Sequence, residues 1–270
     1  MKTILVPTDY SATANNALSY AMELAKINKA KIILFHAYHI PIPTTDMPVF
    51  LLSPQELEKE NKAKMKKLQN QLTRKYGTKI KTETVINAGF APDEILDIIK
   101  KKKADTVVMG IKGSGKLTEA LIGSTTVSVM KKADCPLIIV PDKAKFKQIK
   151  KIIFACDYEQ MKDYSVLKPL RELAETNNAE ILIFNVNDSR VHPVAKDAYF
   201  DACFKNVKHT FWFSDNNNIV EAINEFAKKN NGALIAMVGH KYSFPENIFH
   251  KSRTKDIAFH SKTPIFSLHE

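Results

Sequence analysis

The stretch Thr106-Val-Val-Met-Gly110-Ile-Lys-Gly113, followed by nine residues and then Gly123-Ser124, decides the fold. It reads as an apolar strand that runs into spaced glycines and then into a helix. Glycine lets a backbone take up positive φ and approach a ligand closely. A helix start adds unpaired N–H groups at the positive end of its dipole. Four of the eight glycines fall between positions 110 and 123. That clustering favours a phosphate cradle over ordinary turn chemistry.

Working outward, the strand before the loop recurs. Ala104-Asp-Thr-Val-Val-Met-Gly110 has a counterpart in Ala233-Leu-Ile-Ala-Met-Val-Gly239, and Lys2-Thr-Ile-Leu-Val-Pro-Thr-Asp9 in Lys151-Ile-Ile-Phe-Ala-Cys-Asp157. Ala30-Lys-Ile-Ile-Leu-Phe-His36 matches Ala179-Glu-Ile-Leu-Ile-Phe-Asn185, and Cys135-Pro-Leu-Ile-Ile-Val140 matches Thr263-Pro-Ile-Phe-Ser-Leu268. Matches in one order predict a duplicated unit, residues 1–147 and 148–270, with the basic stretch 142–150 as linker.

Within each unit, short continuous apolar strands alternate with helical stretches. Ala14, Ala17, Leu18, Ala21, Leu24 and Ala25 keep helical spacing after a Ser11 cap. Residues 55–76 and 91–103 read as further helices, the latter with Pro92 in its first turn, and 163–176 and 218–230 repeat the pattern. Strands apolar throughout are buried on both faces. The expectation is an α/β fold of two tandem domains, each a parallel sheet with helices on both faces.

Composition agrees with a globular protein: 44% of residues are hydrophobic and 26% charged. The longest apolar runs, such as Ile32–Phe35, fall far short of a membrane span, and the N-terminus enters a strand with no apolar leader. Cys135, Cys156 and Cys203 form no CxxC pair, as expected for free thiols in a reducing cytoplasm. Residues 1–147 hold 24 basic and 14 acidic residues, and residues 148–270 hold 16 and 15. Only four of the 40 cations are arginine, with no interleaved aromatics for base stacking. The expected reading is a solvated lysine surface, with Lys100–Lys103 at a helix end, and neither nucleic acid nor membrane as partner.

Ligands of such sheets sit beyond the C-terminal strand ends, where strand order reverses. Two loops of the first unit are expected to meet there. Asp9, after Pro7 and Thr8, can accept from a ribose or base, or serve only as a turn or cap carboxylate. Gly110 and Gly113 let backbone pass beneath phosphates, and Ser124 and Thr125 offer hydroxyls and N–H groups. The run Gly110-Ile-Lys-Gly-Ser-Gly115-Lys116 begins a Walker A loop, but Leu117 stands where Ser or Thr should ligate Mg²⁺. A GxGxxG after the first strand is missing as well. No catalytic set and no metal-ligand pair emerges among the eight histidines, and His36 reads as structural. Segment 40–54, with four prolines, is a lid, a partner contact or an irregular connection.

The spacing G-2x-G-9x-G-(S/T), the opening VPTDYSATA and the closing CPLIIVP resemble the universal stress protein family, in its tandem-domain form. The resemblance covers nearly the whole chain. It implies a five-stranded parallel sheet per domain in the Rossmann-like order 3-2-1-4-5, cytoplasmic ATP binding with or without Mg²⁺, and a regulatory role in place of catalysis. Carried over, Pro7, Thr8 and Asp9 lie near the adenosine and Ala37 by the adenine. Met109, Gly110, Gly113, Gly123, Ser124 and Thr125 hold ribose and phosphates, and Lys112 reaches a phosphate or solvent. It also implies pairing through sheet edges, as a homodimer or an internal pseudo-dimer. A weak ATPase and a scaffold without nucleotide are the alternatives. The second unit departs: Tyr242 and Ser252 replace the second and third glycines, and Pro245 stiffens the loop. His240, His250, Lys251 and Arg253 read as scattered surface residues, so that half is expected not to bind ATP.

Overall fold

The computed structural model describes residues 1–40, 53–111, 123–156, 163–186, 194–216, 218–239 and 261–269. The first half runs β1 (Thr3–Pro7), α1 (Ala12–Asn28), β2 (Lys31–Tyr38), α2 (Pro54–Tyr76), β3 (Thr82–Ala88), α3 (Ala91–Lys102), β4 (Thr106–Gly110), α4 (Ser124–Lys132) and β5 (Leu137–Val140). The second runs β6 (Lys151–Ala155), a 3-10 turn at Tyr164–Leu167, α5 (Lys168–Asn177), β7 (Glu180–Val186), α6 (Val194–Cys203), β8 (His209–Ser214), α7 (Ile219–Lys229), β9 (Leu234–Gly239) and β10 (Ile265–His269).

All ten strands form one sheet in the order β3-β2-β1-β4-β5-β10-β9-β6-β7-β8. Each half is parallel and keeps the order 3-2-1-4-5, and β5 joins β10 antiparallel, Ile138 opposite Phe266. The two halves are therefore fused edge to edge. Alternation along each strand feeds two cores. Ile4, Val6, Phe154 and Phe266 face the layer of α1, α2, α5 and α6. Leu5, Val107, Ile153 and Ile265 face α3, α4 and α7. Both cores cross the join without a break.

The helices begin where their chemistry asks. Ser11 caps α1 by accepting from Ala14 N, and Ser53 with Glu56 forms a capping box on α2. The stretch after β5 is no free tether. Asn16 of α1 donates to the carbonyls of Pro141 and Ala144, Phe146 meets Tyr20 edge-on at 5.1 Å, and Ile149 is fully buried.

Candidate functional site

The strand order reverses between β1 and β4, and the ends of these neighbours lie side by side at the sheet's C-terminal edge. On the β1 side the turn is tightly built. Thr8 is buried, its N–H continues the ladder to Phe35 O at 2.8 Å, and its Oγ1 accepts from Tyr10 N at 3.0 Å. Asp9 Oδ1 accepts from Ser11 N at 3.0 Å, so the carboxylate does hold the turn. Tyr10 takes φ +62°, a left-handed conformation fixed by Asn15 Nδ2 on its carbonyl. Its ring leans on His36 at 4.6 Å, and burial pushes its phenol up to about 12. His36 Nδ1–H donates to Thr8 O at 2.7 Å, which ties the end of β2 to the β1 turn and gives His36 its structural part. Ala37 follows at the β2 end, half-buried opposite Asn87.

On the β4 side Met109 and Gly110 are buried. A Cβ on Gly110 would stand 2.5 Å from Thr13 Cγ2 and 3.0 Å from Thr13 O, so the first turn of α1 comes down on bare backbone. Thr126 Oγ1 donates to Gly110 O at 2.9 Å, and Gly123 N donates to Ile111 O at 2.8 Å. These bonds draw the start of α4 onto the end of β4. Gly123 is its N-cap and supplies no side-chain bond, leaving the first-turn N–H groups beside Ser124, which is exposed, and Thr125, which is half-buried. Pro7, Thr8, Asp9, Met109, Gly110, Gly123, Ser124 and Thr125 thus converge on this edge, with Ala37 one strand away. Lys112 and Gly113 lie outside the described residues. Thr13 and Thr126 escaped the sequence reading. Thr126 sits three positions after Gly123, a place from which a hydroxyl can reach back.

The second half carries a different edge. Cys156 N donates to Phe184 O as Thr8 N does to Phe35 O, so Cys156 and Asn185 occupy the places of Thr8 and His36. The ladder corrects one pairing of the repeats. Ile4 faces Thr106 and Ile152 faces Leu234, while Gly110 faces Val140 and Val238 faces Leu268. The counterpart of Gly110 is therefore Val238, and Gly239 comes one residue later. A Cβ on Gly239 would meet Leu268 O at an ordinary 3.7 Å. Asp157 and the loop with His240, Tyr242, Pro245, His250, Lys251, Ser252 and Arg253 lie outside the described residues.

The family model described as the universal stress protein family matches residues 1–141. The chain belongs to the universal stress protein family. Universal stress protein MJ0531 of Methanocaldococcus jannaschii is 31% identical over 147 residues, covering 53% of this chain and 84% of that protein. Universal stress protein MJ0577 of the same organism is 30% identical over 155 residues, 53% of this chain and 96% of that protein. A universal stress protein from Archaeoglobus fulgidus superposes with a TM-score of 0.78 over 98% of this chain and 97% of its own, at 18% identity, a likeness of fold alone. In this universal stress protein no helix among the described residues is long and apolar enough to cross a membrane. Among the same residues no group of three or more His, Cys, Asp or Glu is placed to hold a metal ion.

Proposed function

We propose that the chain binds an adenine nucleotide, ATP before others, at the C-terminal edge of its first half, and that occupancy, not turnover, is its output. The observation that supports this reading is the Gly110 cradle. There Thr13 leaves no room for a side chain, and an uncapped helix start is tied to the same strand end. In the family manner Asp9 and Ala37 lie by the adenosine, while Gly110, Gly113, Gly123 and Ser124, with Lys112, take the ribose and phosphates. The missing Walker hydroxyl at Leu117 and the lack of an acid–base set among the described residues argue for a sensor over an ATPase. Residues 1–147 and 148–270 act as two units of one cytoplasmic protein. Residues 148–270 are the unit without nucleotide, since Val238 brings a side chain to the register position that bare Gly110 backbone holds in the first half. The β5–β10 join supplies within one chain the pairing that single-domain relatives would need a partner for.

Calorimetric titration of ATP into the full chain tests this. One saturable site is expected, Gly123→Val should abolish it, and Ser252→Val should leave it intact. Absence of heat at micromolar protein would sink the reading. Phosphate release over hours would move it to a weak ATPase, and loss of binding in the Ser252 variant alone would reverse the assignment of the halves.

A further inference from the structure

Helices over a parallel sheet run against their strands, so each delivers its last turn to the N-terminal edge, opposite the candidate nucleotide site. In the first half α1 ends on Lys26 and Lys29, α2 on Arg74 and Lys75, α3 on Lys100–Lys103, and α4 on Lys131 and Lys132. Far apart in sequence, these cations share one edge of the fold. The carboxylates towards that edge include Glu23, Glu83, Asp97, Asp105 and Asp134. Glu83 lies 2.5 Å from Lys31 and 2.6 Å from Lys102, Asp97 pairs with Lys101, and Asp105 accepts from the N–H groups of Lys2 and Thr3.

A cation at each helix end also complements the helix dipole, and the second half provides the control. Its α5 and α6 carry no basic residue in their last turns, and only α7 does, with Lys228 and Lys229. The caps sharpen the contrast. Lys29 (φ 51°) and Lys103 (φ 50°) are left-handed, as are Asn178 (φ 48°) and Asn231 (φ 55°). Lys103 N donates to Lys100 O and Ala104 N to Ile99 O; Asn231 N and Gly232 N donate in the same way to Lys228 O and Ala227 O. Ala30 N to Ala25 O likewise matches Ala179 N to Ala174 O. One half thus fills its two left-handed caps with asparagine, which tolerates that conformation, and the other fills the same two with lysine, which does not favour it. Turn geometry alone does not account for lysine at both.

We propose, against the expectation drawn from composition that nucleic acid is no partner, that this edge binds nucleic acid through its phosphodiester backbone, without regard to base sequence. Lysine is a compact point charge suited to single phosphates, and among the described residues Arg74, beside Tyr76, is the one arginine at this edge, too little for the arginine–aromatic pattern that reads bases. Five strands about 4.8 Å apart make an edge about 20 Å long, enough to follow about six phosphates of one strand. A membrane surface fits less well. Among the described residues, Ile27 is the one exposed large apolar side chain at this edge, and membrane-seated faces carry several.

The test is fluorescence anisotropy of a short labelled DNA duplex of mixed sequence, with the full chain, across a salt series. Binding should weaken with a log–log salt slope of about −4 to −6. The double variant Lys29→Asn/Lys103→Asn places in the first half what the second already uses. It should melt no lower than the parent, lose about two units of slope, and bind on the order of fifty-fold more weakly near ~0.1 M salt. Its ATP titration should be unchanged, which separates this edge from the nucleotide site. No duplex binding at low salt, or equal affinity and slope in parent and variant, would overturn the proposal. So would binding to phosphatidylserine vesicles without binding to the duplex.

Discussion

Thr13 occupies the space that a side chain at Gly110 would need, with its Cγ2 only 2.5 Å from the position of a Cβ there. Gly110→Ala must therefore push α1 away from β4 or twist the strand end. Overpacking of this kind costs about 1–3 kcal/mol. The substitution Gly239→Ala, at the glycine that the repeat spacing pairs with Gly110, meets only Leu268 O at 3.7 Å and should cost less than about 0.5 kcal/mol. Urea unfolding of the two variants reads the difference. Equal costs would mean that the tight approach at Gly110 does not exist.

That contrast marks where the sequence was legible and where it was not. Helix positions came through because their apolar residues recur at helical spacing and their caps are local, as at Ser11 and Pro92. Strand order followed from the family resemblance, and the ladder carries it in both halves. Register did not come through in β9. A strand buried on both faces has no apolar–polar alternation, so Leu234–Gly239 reads equally well one residue along. Only the partners Ile152 and Leu268 fix Val238 opposite the right neighbour. The β5–β10 join has no local mark in Leu137–Val140 or Ile265–His269; the resemblance, with its pairing through sheet edges as a homodimer or an internal pseudo-dimer, left open whether the join lay within the chain. Helix α6, with its Phe200 and the following Phe204 fully buried against Phe154, was not anticipated from its sequence. Thr13 was invisible for another reason: its role depends on how closely a helix lands on a strand far away in sequence.

Thr126 anchors the candidate loop from the other side through its 2.9 Å bond to Gly110 O, in a buried setting. Thr126→Val keeps the shape and removes the donor, leaving a buried carbonyl with one partner fewer. A loss of about 1–3 kcal/mol is expected, together with weaker ATP binding as the α4 start loosens. Thr126→Ser should restore most of both. If valine and serine behave alike in denaturation and in calorimetry, the bond holds nothing in place.

Ser267 is a liability at the fusion of the halves. It is buried in β10 opposite Leu137, and its hydroxyl has no hydrogen-bond partner among the described residues. The first half places Ile139 at the matching position, since Leu137 and Ile265 face Val107 and Ile235. Removing an unsatisfied buried hydroxyl returns its desolvation cost, so Ser267→Ala should raise stability by about 1 kcal/mol. A lower melting temperature for this variant would show that the hydroxyl does find a partner.

Cys135 provides a readout of the first half at high pH. Burial, reinforced by the carboxylates of Asp134 and Asp105, pushes its thiol up to about 12, from an ordinary value of 9.0. The folded state therefore holds the proton where the unfolded chain has already released it. This contribution to stability is complete below pH ~9 and is lost as the pH climbs towards ~12. Cys135→Ala should flatten the alkaline limb of the stability curve over that window while leaving neutral pH little changed. The same protonated, buried thiol is a poor nucleophile. At pH ~8, well below the raised value, iodoacetamide should reach Cys135 only after denaturant opens the fold, and a mass shift at Cys135 in the native protein would contradict its burial between α4 and β5.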